Sequence, residues 1–547
     1  MVAFGHDCAD AMGTIDCALQ KTVAKPPAQG NALMLRLSNR VRLGAALVFG
    51  CSTSALAQSV ATPGNVSENV VVTASHLAGG TSARDPNVTV LDAAQIAARQ
   101  PVSITALLGD LPGVYMQQAG GRGSVVSLFA RGAQPNFTLV LLDGVKANDP
   151  TNTRGGSYDF STLSLHDIER VEMVQGPASA IYGSDALGGV INIITRKGTP
   201  DLQAGLSAEG GGFGYWRAGG HVSGPVGGAR ANLGLAFEDS GMPVAGGNVR
   251  GLSLDGALAL PQIAGTKISF NGRFGSSTAT SFPDSSGGPR LAVLRALDHR
   301  DTDEGVLGAH AVRAMAANWD MLLDYGLYTR SSDTRSPGVA PSAQTPFGIP
   351  ANTDKARFTR NQLTWTNRFQ LDGKLDIAAG LDLQIEHGVD DGTLDFGFPL
   401  PTHFALDRTL WAAFAETRLA LTDQFTLSAS GRYDNNGGDG HFSPHLRADY
   451  ALADTGTRFQ VSWDSINRSP PGRRHVRACL SAAIGSGRCS STWNIVTTDA
   501  WPACWCAASD SVAYTSSLKR SPATDLAHGL TSTPQTSNPA LRASTSV

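Results

Sequence analysis

The sequence predicts an N-terminal α+β domain followed by a transmembrane antiparallel β-barrel that is incomplete and ends in an aberrant tail. Three observations lead there. A secretion signal lies near the N-terminus, a mixed helix–strand block covers residues 86–198, and strands of period-two alternation follow from about 200. No run of eighteen or more apolar residues occurs, which argues against a transmembrane helix. Charged residues make up 16% of the 547 and the formal net charge is −3, so nothing points to a nucleic-acid partner.

Met34 reads as the true start, and residues 1–33 as an upstream start artefact. Arg36, Arg40 and Arg42 form a basic region, 44–50 a short apolar core, and Ala55-Leu56-Ala57 a signal peptidase site. Residues 34–57 are therefore expected to be a signal peptide. A lipoprotein signal ending at Cys51 is the alternative, with Phe49 bulky for that motif. Of seven cysteines, none lies between 52 and 478, while Cys479, Cys489, Cys504 and Cys506 crowd together near the C-terminus. An oxidising export route explains the cysteine-free middle but not the late cluster.

Residues 58–85 are a flexible, polar segment. Within it, "SENVVVTASH" (67–76) places β-favouring Val70, Val71, Val72 and Thr73 among small polar residues, with no partner nearby in sequence. In the block 86–198, "LDAAQIAARQ" (91–100) and "SITALLGDLPG" (103–113) have helical spacing. "FTLVLLDGVKA" (137–147) reads as a hairpin turning at Asp143-Gly144. "IERVEMVQG" (168–176) and "GVINIITRKG" (189–198) read as strands.

Residues 199–464 carry about thirteen candidate strands. The clearest sets Leu375, Ile377, Ala379, Leu381, Leu383 and Ile385 against Asp376, Ala378, Gly380, Asp382, Gln384 and Glu386. Similar patterns occupy 267–274, 319–327 and 425–433. Period two over nine or more residues with charge on one face fits a membrane barrel. A soluble β-sandwich with one solvated face is the bland alternative. The last good strand is "GTRFQVSWD" (456–464). Residues 465–547 are rich in Ser, Thr, Arg and Pro without sustained alternation, and read as an out-of-frame or disordered tail. A cysteine-stapled extension is the other reading.

The blocks "LFARGAQPNFTLVLLDGVKAN" (128–148) and "IERVEMVQGPASAIYGSDALGGVINIITRKG" (168–198) resemble the plug-domain signature of TonB-dependent outer-membrane receptors, and "ENVVVTA" (68–74) resembles the TonB box. Within that family the plug is most similar to that of the vitamin B12 receptors. The resemblance implies a plug at 86–198 seated inside a barrel of which about 13 of 22 strands are present. It implies coupling through Glu68, Asn69, Val70, Val71, Val72, Thr73 and Ala74 to the TonB protein of the inner-membrane energy complex. The plug signature falls on Arg131, Gly132, Asp143, Gly144, Glu169, Arg170, Gly176, Tyr182, Gly183, Gly188 and Gly189. The charges of Arg131, Glu169 and Arg170 are expected either to lock to acids of the barrel wall or to pair within the plug.

The implied location is the outer membrane of a Gram-negative cell, in contact with lipid. The implied activity is import of cobalamin or a similar large scarce ligand. Apical loops near 116–126 and 148–159 would hold it, with Gln117, Gln118, Arg122, Asn148, Asp149, Asn152, Arg154 and Tyr158 as candidate contacts. A ferric-siderophore receptor, a non-functional truncated or frameshifted remnant, and a passive porin-like barrel are the alternatives. No enzyme constellation is present, and no cofactor is implied except calcium. The oxygen-rich stretches 388–395 and 434–441 offer Asp390, Asp391, Asp434 and Asp439 for it, although such runs are also ordinary turn chemistry.

Overall fold

In the computed structural model the described residues are 70–71, 75–77, 81–82 and 87–497, apart from 119–120, 153, 343–344, 437, 439, 453–456, 468–475 and 487–488. The signal peptide, the upstream segment, Cys504, Cys506 and Asp439 lie outside them. No described helix is long and apolar enough to cross a membrane.

The N-terminal part is built from short elements. Strands β1 (Val70–Val71) and β2 (Thr81–Ser82) pair with each other, and β3 (Val88–Leu91) leads into helix α1 (Ala93–Arg99). Asp92 starts α1 with a reciprocal capping box, accepting from Gln95 N–H while the Gln95 side chain accepts from Asp92 N–H. Ser103 caps α2 (Ile104–Gly109), whose Ile104, Leu107 and Leu108 are buried. Then come β4 (Val114–Gln118), β5 (Val126–Ala130), β6 (Thr138–Leu142), β7 (Val145–Lys146), β8 (Ile168–Gln175), α3 (Ser179–Tyr182) and β9 (Gly189–Thr195). The order β3-β8-β9-β6-β7 makes one sheet, with β6 and β9 parallel. The predicted hairpin forms, with φ of 50° at Asp143 and 86° at Gly144, and the Asp143 carboxylate accepts from the Thr195 N–H and hydroxyl at 2.8 Å each. Gly188 is demanded by close approach, because a Cβ there would stand 3.0 Å from that of Ala133.

A fifteen-stranded sheet follows, each strand antiparallel to the next in chain order. Its strands are β10 (Gln203–Gly210), β11 (Trp216–Val226), β12 (Ala229–Asp239), β13 (Asn248–Ala259), β14 (Thr266–Ser281), β15 (Asp298–Ala316), β16 (Trp319–Ser336) and β17 (Ala351–Leu371). They continue with β18 (Leu375–Asp395), β19 (Pro399–Ala420), β20 (Phe425–Asn435), β21 (Gly440–Leu452), β22 (Thr457–Asn467), β23 (Val476–Ser486) and β24 (Cys489–Thr497). Thirteen of these, β10 to β22, match the expected number. Two further strands lie where the sequence reading placed only tail, so the boundary near 465–470 is corrected: β23 and β24 have the 9–11 residues a spanning strand requires. Among the described residues β10 and β24 do not pair, and the sheet is an open barrel wall.

The alternation is inside-out. On β18, Leu381, Leu383 and Ile385 are 39–50% exposed, whereas Asp382, Gln384 and Glu386 are 2–5% exposed. A soluble sandwich would bury the first set and solvate the second, so the membrane-barrel reading is the one that holds. The apolar run 375–385 gives eleven residues, one bilayer crossing, and β18 then continues ten residues beyond it. The longest connections, 282–297 and 337–350, share one rim. The two-residue turns 227–228 and 317–318 lie at the other.

The polar inner face grips the N-terminal domain mainly through wall arginines. Arg360 donates to the Lys146 carbonyl (3.0 Å) and to Glu386 (2.6 Å), which Arg408 also contacts. Arg432 donates to the Ile181 carbonyl (3.2 Å) and pairs with Asp382 and Asp434. Arg300 pairs with Asp159 (3.2 Å) and donates to Ser161. Of the two arrangements expected for the plug charges, pairing within the plug is the one seen for Arg131, Glu169 and Arg170, while these ties run from wall arginines to carbonyls and an acid of the plug. Arg170 instead pairs inside the domain, with Glu172 (2.7 Å) and Glu169 (3.4 Å), and Arg131 donates to Gln175 and Asn87.

Leu381→Arg puts a charge in the middle of the apolar band and is expected to cost about 2–4 kcal/mol of stability in lipid vesicles, measured by denaturant unfolding. Arg360→Ala leaves Glu386 buried with only Arg408, and is expected to lose about 3–5 kcal/mol in the same assay with the denaturant slope unchanged.

Candidate functional site

The described start of the domain sits at the short-turn rim. Val70 and Val71 pair in register with Ser82 and Thr81, so the β-favouring stretch has a local partner after all, across the intervening loop. The other members of the stretch, Glu68, Asn69, Val72, Thr73 and Ala74, lie outside the described residues. Immediately after it, the chain is latched to the wall. The Ser75 hydroxyl donates to Glu416 (2.7 Å), and the His76 N–H donates to the other oxygen of the same carboxylate (2.8 Å). Arg368 donates to the His76 carbonyl (2.5 Å), and the His76 ring stacks on Phe414 with centroids 4.4 Å apart. Burial, reinforced by Arg432 and Arg368, pushes His76 down to about 4, so its ring is neutral at physiological pH. Arg368 and Glu416 lie three and four residues from the short-turn ends of β17 and β19.

The opposite end of the domain meets the long-loop rim. Gly121 packs on Val244, and the Arg122 guanidinium pairs with Glu238 at 3.0 Å and donates to the Val102 carbonyl. Gln117 and Gln118 are exposed at the end of β4. Gln118, Arg122 and Glu238 help line a cavity of about 220 Å³ between the domain and the wall. Of the predicted contacts, Gln117, Gln118 and Arg122 thus lie at the long-loop rim.

The second predicted loop is occupied with its own fold. Asn148 accepts from the Val140 N–H and donates to the carbonyls of Thr138 and Gly156. Asp149 accepts from the N–H and hydroxyl of Thr151, and Asn152 accepts from the N–H groups of Arg154 and Gly156. Tyr158 is buried and donates to Glu304 (2.9 Å); burial and that carboxylate push its phenol far up. Burial works against ionising Asp159, but Arg300, Arg154 and Arg330 outweigh it and hold the carboxyl well below the usual range. In this loop Arg154 Nη1 and Ser157 Oγ are buried without a hydrogen-bond partner among the described residues.

The signature residues are scaffold. Gly176, Gly183 and Gly189 adopt positive φ, the Tyr182 carbonyl accepts from Lys146 Nζ (2.9 Å), and burial depresses the Lys146 pKa. The proposed calcium loops are corrected: 388–395 continues strand β18, and Asp434 lies on β20, paired with Arg432. Asp391 pairs with His403 at 2.7 Å. No group of three or more His, Cys, Asp or Glu suited to a metal occurs among the described residues. The latch residues Arg368 and Glu416, and the ties Arg300, Arg360 and Arg432, were not singled out from sequence. Their only signal was a charge on the inward phase of a strand.

Two family descriptions match the chain: TonB-dependent Receptor Plug Domain over 83–190, and TonB dependent receptor-like, beta-barrel over 246–475. A vitamin B12 transporter, BtuB, of Photobacterium profundum is 39% identical over 140 residues, which is 26% of this chain and 22% of that protein's own length. Among solved structures, the ferripyoverdine receptor of the outer membrane of Pseudomonas aeruginosa superposes with a TM-score of 0.63 at 17% identity, covering 82% of this chain and 68% of that one. The ferric yersiniabactin uptake receptor FyuA from Yersinia pestis gives 0.58 at 18%, covering 73% and 69%. With a plug sheet tied by arginines inside an inside-out antiparallel wall, and with both halves matched, the chain belongs to the TonB-dependent receptor family.

Proposed function

We propose that this chain is an outer-membrane receptor for energy-coupled import, and that its ligand is cobalamin. The observation that carries the coupling reading is the placement of 70–71 and 75–77. The extended pair Val70–Val71 is followed in sequence by a latch of Ser75 and His76 on Glu416 and Arg368, at the short-turn rim, away from the longest loops. An outer membrane has no nucleotide supply of its own, so work on the plug must arrive as force from a protein that spans the periplasm. Strand addition can transmit such a force, because main-chain bonds give grip and alternate side chains give selectivity. A two-residue hairpin such as β1–β2 is marginal by itself and yields easily to a competing strand.

The ligand assignment rests on the plug likeness to the vitamin B12 transporter, a partial match. The two solved structures described above, of similar fold, are ferric-chelate receptors by their descriptions, which keeps a ferric siderophore as the second reading. Gln117, Gln118 and Arg122 are the plug residues we assign to contact with the ligand.

Val71→Pro removes a pairing N–H and fixes φ. It is expected to abolish energised uptake while leaving ligand binding at the cell surface intact; normal uptake by this variant contradicts the coupling reading. For the ligand, equilibrium binding to cyanocobalamin and to a panel of ferric siderophores decides. Saturable binding of cyanocobalamin alone is expected, and binding of siderophores alone overturns the assignment.

A further inference from the structure

Three arginines meet at the long-loop end of the plug, and only one of them is taken up by the protein itself. Arg300 pairs with Asp159 (3.2 Å) and donates to the Ser161 hydroxyl (2.8 Å) and the Gly123 carbonyl (3.2 Å). Arg154, in the plug loop 148–159, and Arg330, on β16, act electrostatically on the same Asp159 carboxylate. Neither guanidinium makes a hydrogen bond or an ion pair among the described residues, and Arg154 Nη1 is buried. Both side chains are half-buried.

The acids at this place do not balance the three cations. Asp159 is bound by Arg300 and by the N–H groups of Val126 and Ser161. Glu304 stands opposite Arg330 in register and accepts from the Tyr158 hydroxyl at 2.9 Å. Asp284, the remaining acid near Arg154, is exposed on the connection 282–297, where water and salt screen it. Three guanidinium groups therefore share two carboxylates away from solvent. A cation drawn out of water is costly unless it is paired, and Arg154 and Arg330 also repel each other. A chain that breaks this rule without a local gain does so where binding, rather than folding, needs the charge.

We propose that Arg154 and Arg330 form a subsite for an oxyanion of the ligand, a phosphate or a carboxylate. A guanidinium matches such a group with parallel N–H···O bonds, and one from the plug and one from the wall can hold it between them. The subsite adds a chemical requirement to the receptor reading above, on which it rests: the ligand carries a negative charge where plug meets β16. Without that anion one of the two arginines is surplus charge.

The test titrates inorganic pyrophosphate and, separately, citrate into the full chain in detergent micelles at low ionic strength, by calorimetry. Saturable binding of at least one is expected. Arg154→Gln and Arg330→Gln are each expected to weaken it about tenfold, since each removes charge-assisted bonds. Arg357→Gln, on an exposed residue of β17, is expected to change nothing. Tighter binding of pyrophosphate assigns a phosphate to the subsite, and tighter binding of citrate a carboxylate. No saturable binding of either anion by the unaltered chain, or undiminished binding by Arg330→Gln, overturns the proposal. A second measurement reads the empty site. Without anion, the thermal unfolding midpoint of Arg330→Gln is expected to hold or rise, because like charges are relieved; a lowered midpoint marks Arg330 as structural and also overturns it. A chain that binds either anion through these arginines but neither cyanocobalamin nor a ferric siderophore counts against the receptor reading alone.

Discussion

A strand whose one face meets hydrocarbon must carry its polar residues on the other, and the strands of this wall obey that constraint. It dictates what can sit inside. A domain packed against such a face is held largely by hydrogen bonds and ion pairs, with apolar burial confined to a few wall side chains such as Val306, Tyr328 and Phe358. Arg360 and Glu386, both almost fully buried, show the consequence: charges tolerated away from water because each has several partners. The plug's apolar core, around Leu107, Leu128, Met173 and Ile191, takes in Val306, Tyr328 and Phe358 of the wall, and around that contact plug and wall meet through hydrogen bonds and ion pairs.

A polar interface also explains how the plug can be both stable and movable. Hydrogen bonds between plug and wall can be exchanged for bonds to water one at a time, which a close-packed apolar seam does not allow. The latch at Ser75 and His76 lies at the short-turn end, and Gln118 and Arg122 lie at the other. The cavity joins the latter to the wall.

Much of this was legible in the sequence where local chemistry decides. Asp92 with Gln95 marks a helix start, Asp143-Gly144 a hairpin, and the Leu375–Ile385 alternation a wall strand with the correct face. The glycines of the plug signature marked tight backbone approach. Two things were not legible. Strands β23 and β24 were missed because "VRACLSAAIGS" and "CSSTWNIVT" mix small and polar residues without clear alternation, so only their pairing with β22 gives them away. The loop at 148–158 looked like a ligand surface because it is polar. Its Asn148 and Asp149 are in fact satisfied by backbone groups two to ten residues away, a pattern that composition does not distinguish from exposed recognition.

The central claim is that residues 68–74 are handed to another protein as a strand. Cysteine-scanning crosslinking tests it most directly: single cysteines through 66–91, in a chain with its native cysteines replaced, against a cysteine placed in the periplasmic domain of the TonB protein. The account predicts ligand-stimulated crosslinks confined to 68–74, with none at 88–91, where β3 is bonded to β8. Crosslinks absent from 68–74, or spread evenly into β3, would contradict it.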